Sequence, residues 1–218
     1  MSSTHDYVLF FTNLGKVYRK KVHELPVGSR ASRGSALVNV LPLAEGEHLK
    51  AVITTRDFPA DEYLMFATSN GMIKKSAMSA YDRTRHDGII AINLKNGDEL
   101  NDVRRVKPGF KVILVSTDGK AIVFEEDQIR AMGRDTSGVR GITLKGTAKV
   151  LGMEISNGQG DLFVITEKGY GKRTPIADYP VHNRGGQGVF TIQMTARKGE
   201  LAGMKVVGPQ HELVIVSE

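Results

Sequence analysis

The stretch YLMFATSNGMIKKSA, residues 63–77, runs through apolar residues into the polar turn TSNG and leaves it as a second short run. A turn of this kind needs glycine at positive φ, and two β-type runs flanking it read as a hairpin. The unit recurs as YVLFFTNLGKVYRKK (7–21), VILVSTDGKAIVFEE (112–126) and LFVITEKGYGKRTPI (162–176). Its turn glycines, Gly15, Gly71, Gly119 and Gly169, stand 56, 48 and 50 residues apart.

A second glycine follows each turn by 17 to 19 residues: Gly34, Gly88, Gly138 and Gly188. After it comes a short alternating run, as in RGSALVNV and QGVFTIQM, which predicts a half-buried strand. A third landmark, in EGEHLKAVITT, NGDELNDVRRV, KGTAKVLGMEI and KGELAGMKVV, is a turn before one more strand. Each unit therefore reads as four strands in about 50 residues, the period of a propeller blade. The expected repeats are 5–56, 61–107, 110–157 and 160–208, within one all-β domain spanning 1–218. HELVIVSE, residues 211–218, restarts the unit, so a partial fifth hairpin is expected there and the chain reads as a fragment. Helical periodicity is nearly absent; EDQIRAMG (126–133) allows one or two turns at most.

With 40% hydrophobic and 25% charged residues the chain can bury a core. It has no cysteine, which excludes disulfides and thiolate metal sites and makes the cytoplasm the default compartment. No stretch approaches the ~18 apolar residues of a membrane span, so no membrane partner is expected.

Catalytic motifs fail one by one. DTSG at 135–138 resembles an aspartic-protease tetrapeptide, but that chemistry needs two carboxylates sharing a proton and there is one copy. GYGKRT at 169–174 lacks the third glycine of a dinucleotide loop and lies in a hairpin. The six histidines form no i, i+4 pair and no acid-flanked cluster, so no metal site is assigned. No nucleophile elbow occurs, and no catalytic residue is expected.

The basic residues behave differently, because they are phased with the repeat. The spans 15–34, 71–88, 119–138 and 169–188 carry +5, +2, −1 and +2, and hold 16 basic against 8 acidic residues. The chain total is only +6. These spans, with Arg140 just beyond the third, nominate Lys16, Arg19, Lys20, Lys21, Arg30, Arg33, Lys74, Lys75, Arg83, Arg85, Lys120, Arg134, Arg140, Lys172, Arg173 and Arg184 as contacts to phosphate. Phosphate carries no base identity, so such a belt binds without reading sequence, and the scarcity of regularly spaced tyrosines favours duplex over single strands. The competing class is a propeller used as a protein-interaction scaffold.

Together the hairpins THDYVLFFTNLGKVY and ATSNGMIKKS, the segment IRAMGRDTSGVRGI and the run GYGKRTPIADYPVHNRGGQGV resemble the C-terminal domain of the DNA gyrase A protein, over nearly all 218 residues. The resemblance implies a β-pinwheel, a propeller-like arrangement whose blades exchange strands and whose basic perimeter wraps duplex DNA. It implies a bacterial, nucleoid-bound setting, with ATP and Mg, the remainder of gyrase A, and gyrase B acting elsewhere in a type II topoisomerase. This fragment itself is expected to be monomeric and free of cofactor. The family's QRRGGKG box has only a partial counterpart here, HNRGGQG at 182–188: Arg184, Gly185, Gly186 and Gly188 match, while Gln187 replaces lysine. The related topoisomerase IV protein, whose C-terminal domain uses similar blades, is the nearest rival. The glycine pair is expected to let the backbone approach a phosphate beside Arg184.

Overall fold

The computed structural model describes residues 3–95 and 97–216. They form β1 (Tyr7–Thr12), β2 (Lys16–Lys21), β3 (Leu49–Thr55), β4 (Tyr63–Thr68), β5 (Met72–Ala77), β6 (Ile89–Ile90), β7 (Leu100–Val106), β8 (Lys111–Ser116), β9 (Lys120–Glu125), β10 (Val139–Arg140), β11 (Val150–Ser156), β12 (Asp161–Thr166), β13 (Gly171–Pro175), β14 (Val189–Phe190) and β15 (Leu201–Val207). Among the described residues the helical elements are short 3-10 turns, one of them at Glu126–Gln128. None of the described helices is long and apolar enough to cross a membrane.

Each hairpin is built as its sequence requires. The turn glycines have φ of 75°, 87°, 86° and 77° for Gly15, Gly71, Gly119 and Gly169, a region that side chains with a Cβ rarely adopt. Their N–H groups donate back to Thr12, Thr68, Ser116 and Thr166 at 2.9–3.1 Å. The first strand of each hairpin also pairs with the strand after the third landmark, and a register shift recurs there, between Phe11 and Thr12, Ala67 and Thr68, Val150 and Gly152, and Ile165 and Thr166.

The fourth strand is where the repeat and the sheet part company. The sheets are ordered β3-β1-β2-β6, β10-β5-β4-β7, β11-β8-β9-β14 and β13-β12-β15. Each two-residue outer strand thus belongs to the next repeat in sequence: Val17 pairs with Ile89, Ile73 with Val139 and Ala121 with Val189. The repeat supplies three strands to its own sheet and lends the fourth to its predecessor. In the first repeat the expected strand after Gly34 does not form; Leu37–Asn39 is a 3-10 turn and residues 28–36 are exposed. A two-residue strand has no stability without a preceding hairpin's edge to pair with, and the described residues offer it none. Residues 211–216 likewise form no strand, and Ser217 and Glu218 of the expected fifth hairpin lie outside the described residues.

The chain folds as two compact units, Met1–Lys107 with Ile129–Arg140, and Pro108–Gln128 with Gly141–Glu218. In the first, the two sheets bury Leu9, Phe11, Val17, Leu64, Phe66, Met78, Tyr81, Ile92 and Leu100 between them. Phe11 packs edge-on to Phe66 and to Tyr81, with centroids 5.5 and 5.9 Å apart. A smaller cluster of Val8, Phe10, Tyr18 and Leu41 covers the other face of the first sheet. Beside it Glu47 is buried, accepting hydrogen bonds from Thr12 Oγ1 (2.7 Å), Tyr18 Oη (3.0 Å) and the N–H of Ala44 (2.9 Å). Burial pushes its carboxyl up, but these three donors together outweigh that and hold it below the usual carboxylate range. In the second unit, Ile113, Val115, Val123, Leu162, Val164, Ile176, Tyr179 and Ile192 form the corresponding core.

Candidate nucleic-acid interface

Neighbouring residues of a strand face opposite ways, so a repeat-phased Lys-Lys pair cannot present both side chains to one partner. Lys74 and Lys75 of β5 resolve this unexpectedly, since both are buried. Lys74 is fully covered, and its Nζ donates to the carbonyls of Ala91 (2.5 Å), Gly133 (3.3 Å) and Arg134. Burial pushes its pKa down to about 7; Asp135 opposes this and Arg134 adds to it. Lys74 is therefore a latch holding the 129–140 segment on β5 and is withdrawn from the surface, a correction to its nomination as a phosphate contact. Lys75 lies over the Tyr63 ring at 5.4 Å, and its carbonyl accepts from Met132 N–H at 2.9 Å.

What strand exchange buries at β5 it compensates on the neighbouring surface. Bringing 129–140 beside the second repeat places Arg134 next to Arg83 and Arg85, which with Ala80, Gly88, Ile89 and Ile90 line an open cleft of about 480 Å³. No acidic side chain lines it. Arg134 Nη1 is spent on the Ile90 carbonyl at 2.5 Å, whereas the side chains of Arg83 and Arg85 are exposed and make no hydrogen bond or ion pair among the described residues. Two unengaged guanidinium forks beside a fixed one can grip a phosphate diester from several sides.

A second cleft in the same unit, of about 270 Å³, is lined by Tyr7, Arg19, Lys20, Lys21, Glu24, Thr84 and His86. Here Arg19 is held in place: it donates to the Asp82 carbonyl, lies 3.4 Å from the Asp82 carboxylate, and stacks over Tyr7 and Phe58 at 5.0 and 5.7 Å. Lys21 Nζ sits 5.3 Å over the same tyrosine. His86 joins this cleft without any warning in the sequence, because its role depends on the exchanged strand. Lys16 lies half-buried at the start of β2, Arg30 and Arg33 are exposed in the unpaired 26–36 segment, and Arg140 is exposed at the end of β10.

In the second unit the nominated residues are scattered and mostly engaged. Lys120 lies 3.8 Å from Asp118 and over the Phe190 ring at 5.2 Å; Lys172 donates to the Thr191 carbonyl at 3.1 Å; Arg173 pairs with Asp161 at 2.9 Å. Arg184 is tied to Gln128: its backbone N–H donates to the Gln128 side-chain oxygen (2.8 Å) and its Nε to the Gln128 carbonyl (3.3 Å). The glycine pair is not a free backbone nest. Gly185 N–H donates to the Gly141 carbonyl at 2.6 Å, while the carbonyls of Gly185 and Gly186 accept from Thr143 Oγ1 (2.6 Å) and Thr143 N–H (2.8 Å). Gly188 is needed for a different reason, since a Cβ there would lie 2.4 Å from the Ala121 carbonyl. The loop is thus docked on the preceding repeat, with Gln187 exposed at its tip. Among the described residues no three His, Cys, Asp or Glu side chains converge as a metal site.

Known proteins share this fold. The sequence matches the family described as DNA gyrase C-terminal domain, beta-propeller, over residues 6–56, 62–107, 111–157 and 160–208. It is 39% identical over 218 residues to the DNA gyrase A protein of Salmonella typhimurium, covering 100% of this chain and 25% of that protein. It is 41% identical over 219 residues to the DNA gyrase A protein of Staphylococcus aureus (MRSA252), covering 99% and 25%. The chain thus spans about a quarter of the length of the curated relatives it matches. Among solved structures, the C-terminal domain of DNA topoisomerase IV superposes with a TM-score of 0.86 at 28% identity, over 94% of this chain and 64% of that one. A DNA gyrase A C-terminal domain gives 0.80 at 24% identity, over 95% and 67%, a likeness of fold.

Proposed function

The chain belongs to the DNA gyrase C-terminal domain family of β-propeller type, and from that premise we propose that it binds duplex DNA through its rim of basic clefts and curves it. The single observation that carries this reading is the cleft of Arg83, Arg85 and Arg134, free of acids and assembled by an exchanged strand. Such a cleft recognises phosphate by charge and fork geometry and no base edge, so binding is sequence-independent. If about 8 basic residues engage phosphates, log affinity falls against log salt with a slope near −7. Curving the duplex costs up to roughly 10 kcal/mol per 20–30 base pairs, which contacts on successive repeats must offset.

The domain contributes shape and charge and no chemistry; ATP hydrolysis, Mg and strand cleavage fall to the remainder of a gyrase A chain and to gyrase B. By wrapping, it would present DNA with one handedness of crossing and so bias the outcome toward negative supercoiling in the bacterial cytoplasm. The test has two arms. Titration of random-sequence duplex over a salt series measures binding, and failure to bind at low salt refutes the reading in favour of a protein-interaction scaffold. Closing relaxed circles with the domain bound measures wrapping; an unchanged linking number reduces the function to adhesion. The topoisomerase IV likeness supports a second reading, recognition of DNA geometry without a directed wrap, which the same circles distinguish.

A further inference from the structure

Each two-residue lent strand has one side chain turned in and one turned out, because neighbours on a strand face opposite ways. Ile89 packs against the core of the first unit and Val189 against that of the second. Ile90 and Phe190, one residue on, therefore point outward, and they remain 50% and 64% exposed. A lone exposed apolar residue calls for no explanation. These two hold one place in the repeat, two residues after the second-landmark glycine, and Arg140 holds it in the repeat between them.

The strand opposite carries a matching feature. Ile90 is paired in register with Lys16, Arg140 with Met72 and Phe190 with Lys120. Residues directly opposite on antiparallel strands share a face, so each of these sheets presents one cation beside one apolar side chain at the same position. Lys120 Nζ lies 5.2 Å from the Phe190 ring centroid. Around Ile90 the charge is denser: with Ala80 and Ile89 it lines the cleft that Arg83, Arg85 and Arg134 also line. A purely apolar partner would desolvate those guanidinium groups without pairing them, which disfavours it. A duplex suits the cleft better, since it offers phosphates outside and an apolar stack within.

Both outward side chains stand on backbone that is tied down. Arg134 Nη1 donates to the Ile90 carbonyl at 2.5 Å, and the N–H of Ala91, next along, to the Gly15 carbonyl at 2.8 Å. The N–H of Thr191, after Phe190, donates to the Gly119 carbonyl at 2.9 Å. A side chain that parts two stacked bases needs such a footing, since a mobile one would be pushed aside. We propose that Ile90 and Phe190 are wedges that enter bound duplex from the minor groove, partly unstacking a base step and kinking the helix while the adjoining cations hold flanking phosphates. Isoleucine and phenylalanine have the bulk and stiffness for this, and Arg140 at the same place serves the minor groove as an inserted cation. The proposal rests on the DNA-binding reading and adds where the curvature comes from: discrete kinks, easiest at flexible pyrimidine–purine steps, instead of an even bend. It reads deformability and no base edge.

A mismatched step is already partly unstacked and opens more easily than a paired one, so mismatches test the wedge. In anisotropy competition, the 218-residue chain should bind a duplex bearing one T·T mismatch per helical turn about 10-fold more tightly than the fully paired duplex. Ile90→Ala combined with Phe190→Ala should abolish that preference and keep the salt slope, because no charge is removed. Ile90→Leu combined with Phe190→Leu should retain it, and circular dichroism melting checks the fold of both variants. Permanganate oxidation of thymines at TA steps of the paired duplex, which the unsubstituted chain should raise, reads the unstacking with no variant at all. Equal affinity for the two duplexes, a preference that survives alanine, or unraised oxidation overturns the wedge and leaves DNA binding in place. Failure to bind either duplex at low salt refutes the DNA-binding reading itself, and the wedge with it.

Discussion

Arg83 and Arg85 offer the sharpest test of the interface, because the structure separates them from a lysine that repeat phasing ranks equally. Of the three guanidinium groups in the 480 Å³ cleft, Arg134 is committed to the Ile90 carbonyl, leaving two free for phosphate. Each phosphate neutralised contributes about 0.9 to the slope of log affinity against log salt, so the double variant Arg83→Gln, Arg85→Gln should flatten it by about 1.8. Between about 50 and about 200 mM salt, the unsubstituted chain should then lose about 12-fold more affinity than the variant. Fluorescence anisotropy with a random-sequence duplex reads this directly. Both side chains are exposed, so melting of the fold should not change. Lys74→Met is the control: its ammonium is enclosed by three carbonyls and should leave the slope untouched. An unaltered slope in the arginine variant, with binding retained, would refute the placement of phosphate in this cleft.

Lys74→Met should nonetheless destabilise the first unit, by about 1–3 kcal/mol in denaturant titrations, since it leaves the buried Ala91 carbonyl without its donor and releases the part-buried Gly133 and Arg134 carbonyls, while relieving the burial of an amine. Hydrogen exchange should show residues 129–140 opening first. Because burial holds the Lys74 pKa near 7 against about 10.4 in the unfolded chain, the unfolded state binds the extra proton between these values, and stability should climb from about pH 7 to about pH 10.4. Lys74→Met should flatten that climb in the pH dependence of the melting temperature. Gly138→Ala should cost at least about 3 kcal/mol, because its Cβ would lie 2.4 Å from the Ile73 carbonyl at φ 79°, whereas Gly34→Ala, with open space around it at φ 69°, should cost only about 1–2 kcal/mol by thermal melting. Gln187→Lys adds a cation at the exposed tip of a rigidly docked loop; it should tighten duplex binding and steepen the salt slope by about 0.9, and no change would put this loop off the DNA path.

Much of this architecture was legible because hairpins are local objects. A glycine four residues into a polar turn, with alternating runs on both sides, needs nothing distant to form, so TNLG, TSNG, STDG and TEKG announce their strands. The runs after Gly88, Gly138 and Gly188 were legible as strands too, but not the sheets they join: a two-residue strand carries too little pattern to name its partner. For the same reason SALVNV, with the same alternation, reads as a strand and is none.

The candidate interface was legible as charge and illegible as geometry. Repeat phasing found the basic positions, and it could not distinguish Arg83, exposed in an open cleft, from Lys74, held by carbonyls on β5. Nor could it see that Gly185 and Gly186 are spent on Gly141 and Thr143.

The amino-acid sequence alone determined the repeat, its hairpins, the positive-φ glycines and the excess of positive charge between the landmarks, because each follows from neighbours within a few residues. Only the tertiary structure decided which repeat completes which sheet and which cations face solvent. Those outcomes depend on hydrogen-bonding groups 17 to 60 residues apart, such as Lys74 with the Ala91 and Arg134 carbonyls, and no local pattern encodes a partner at that separation.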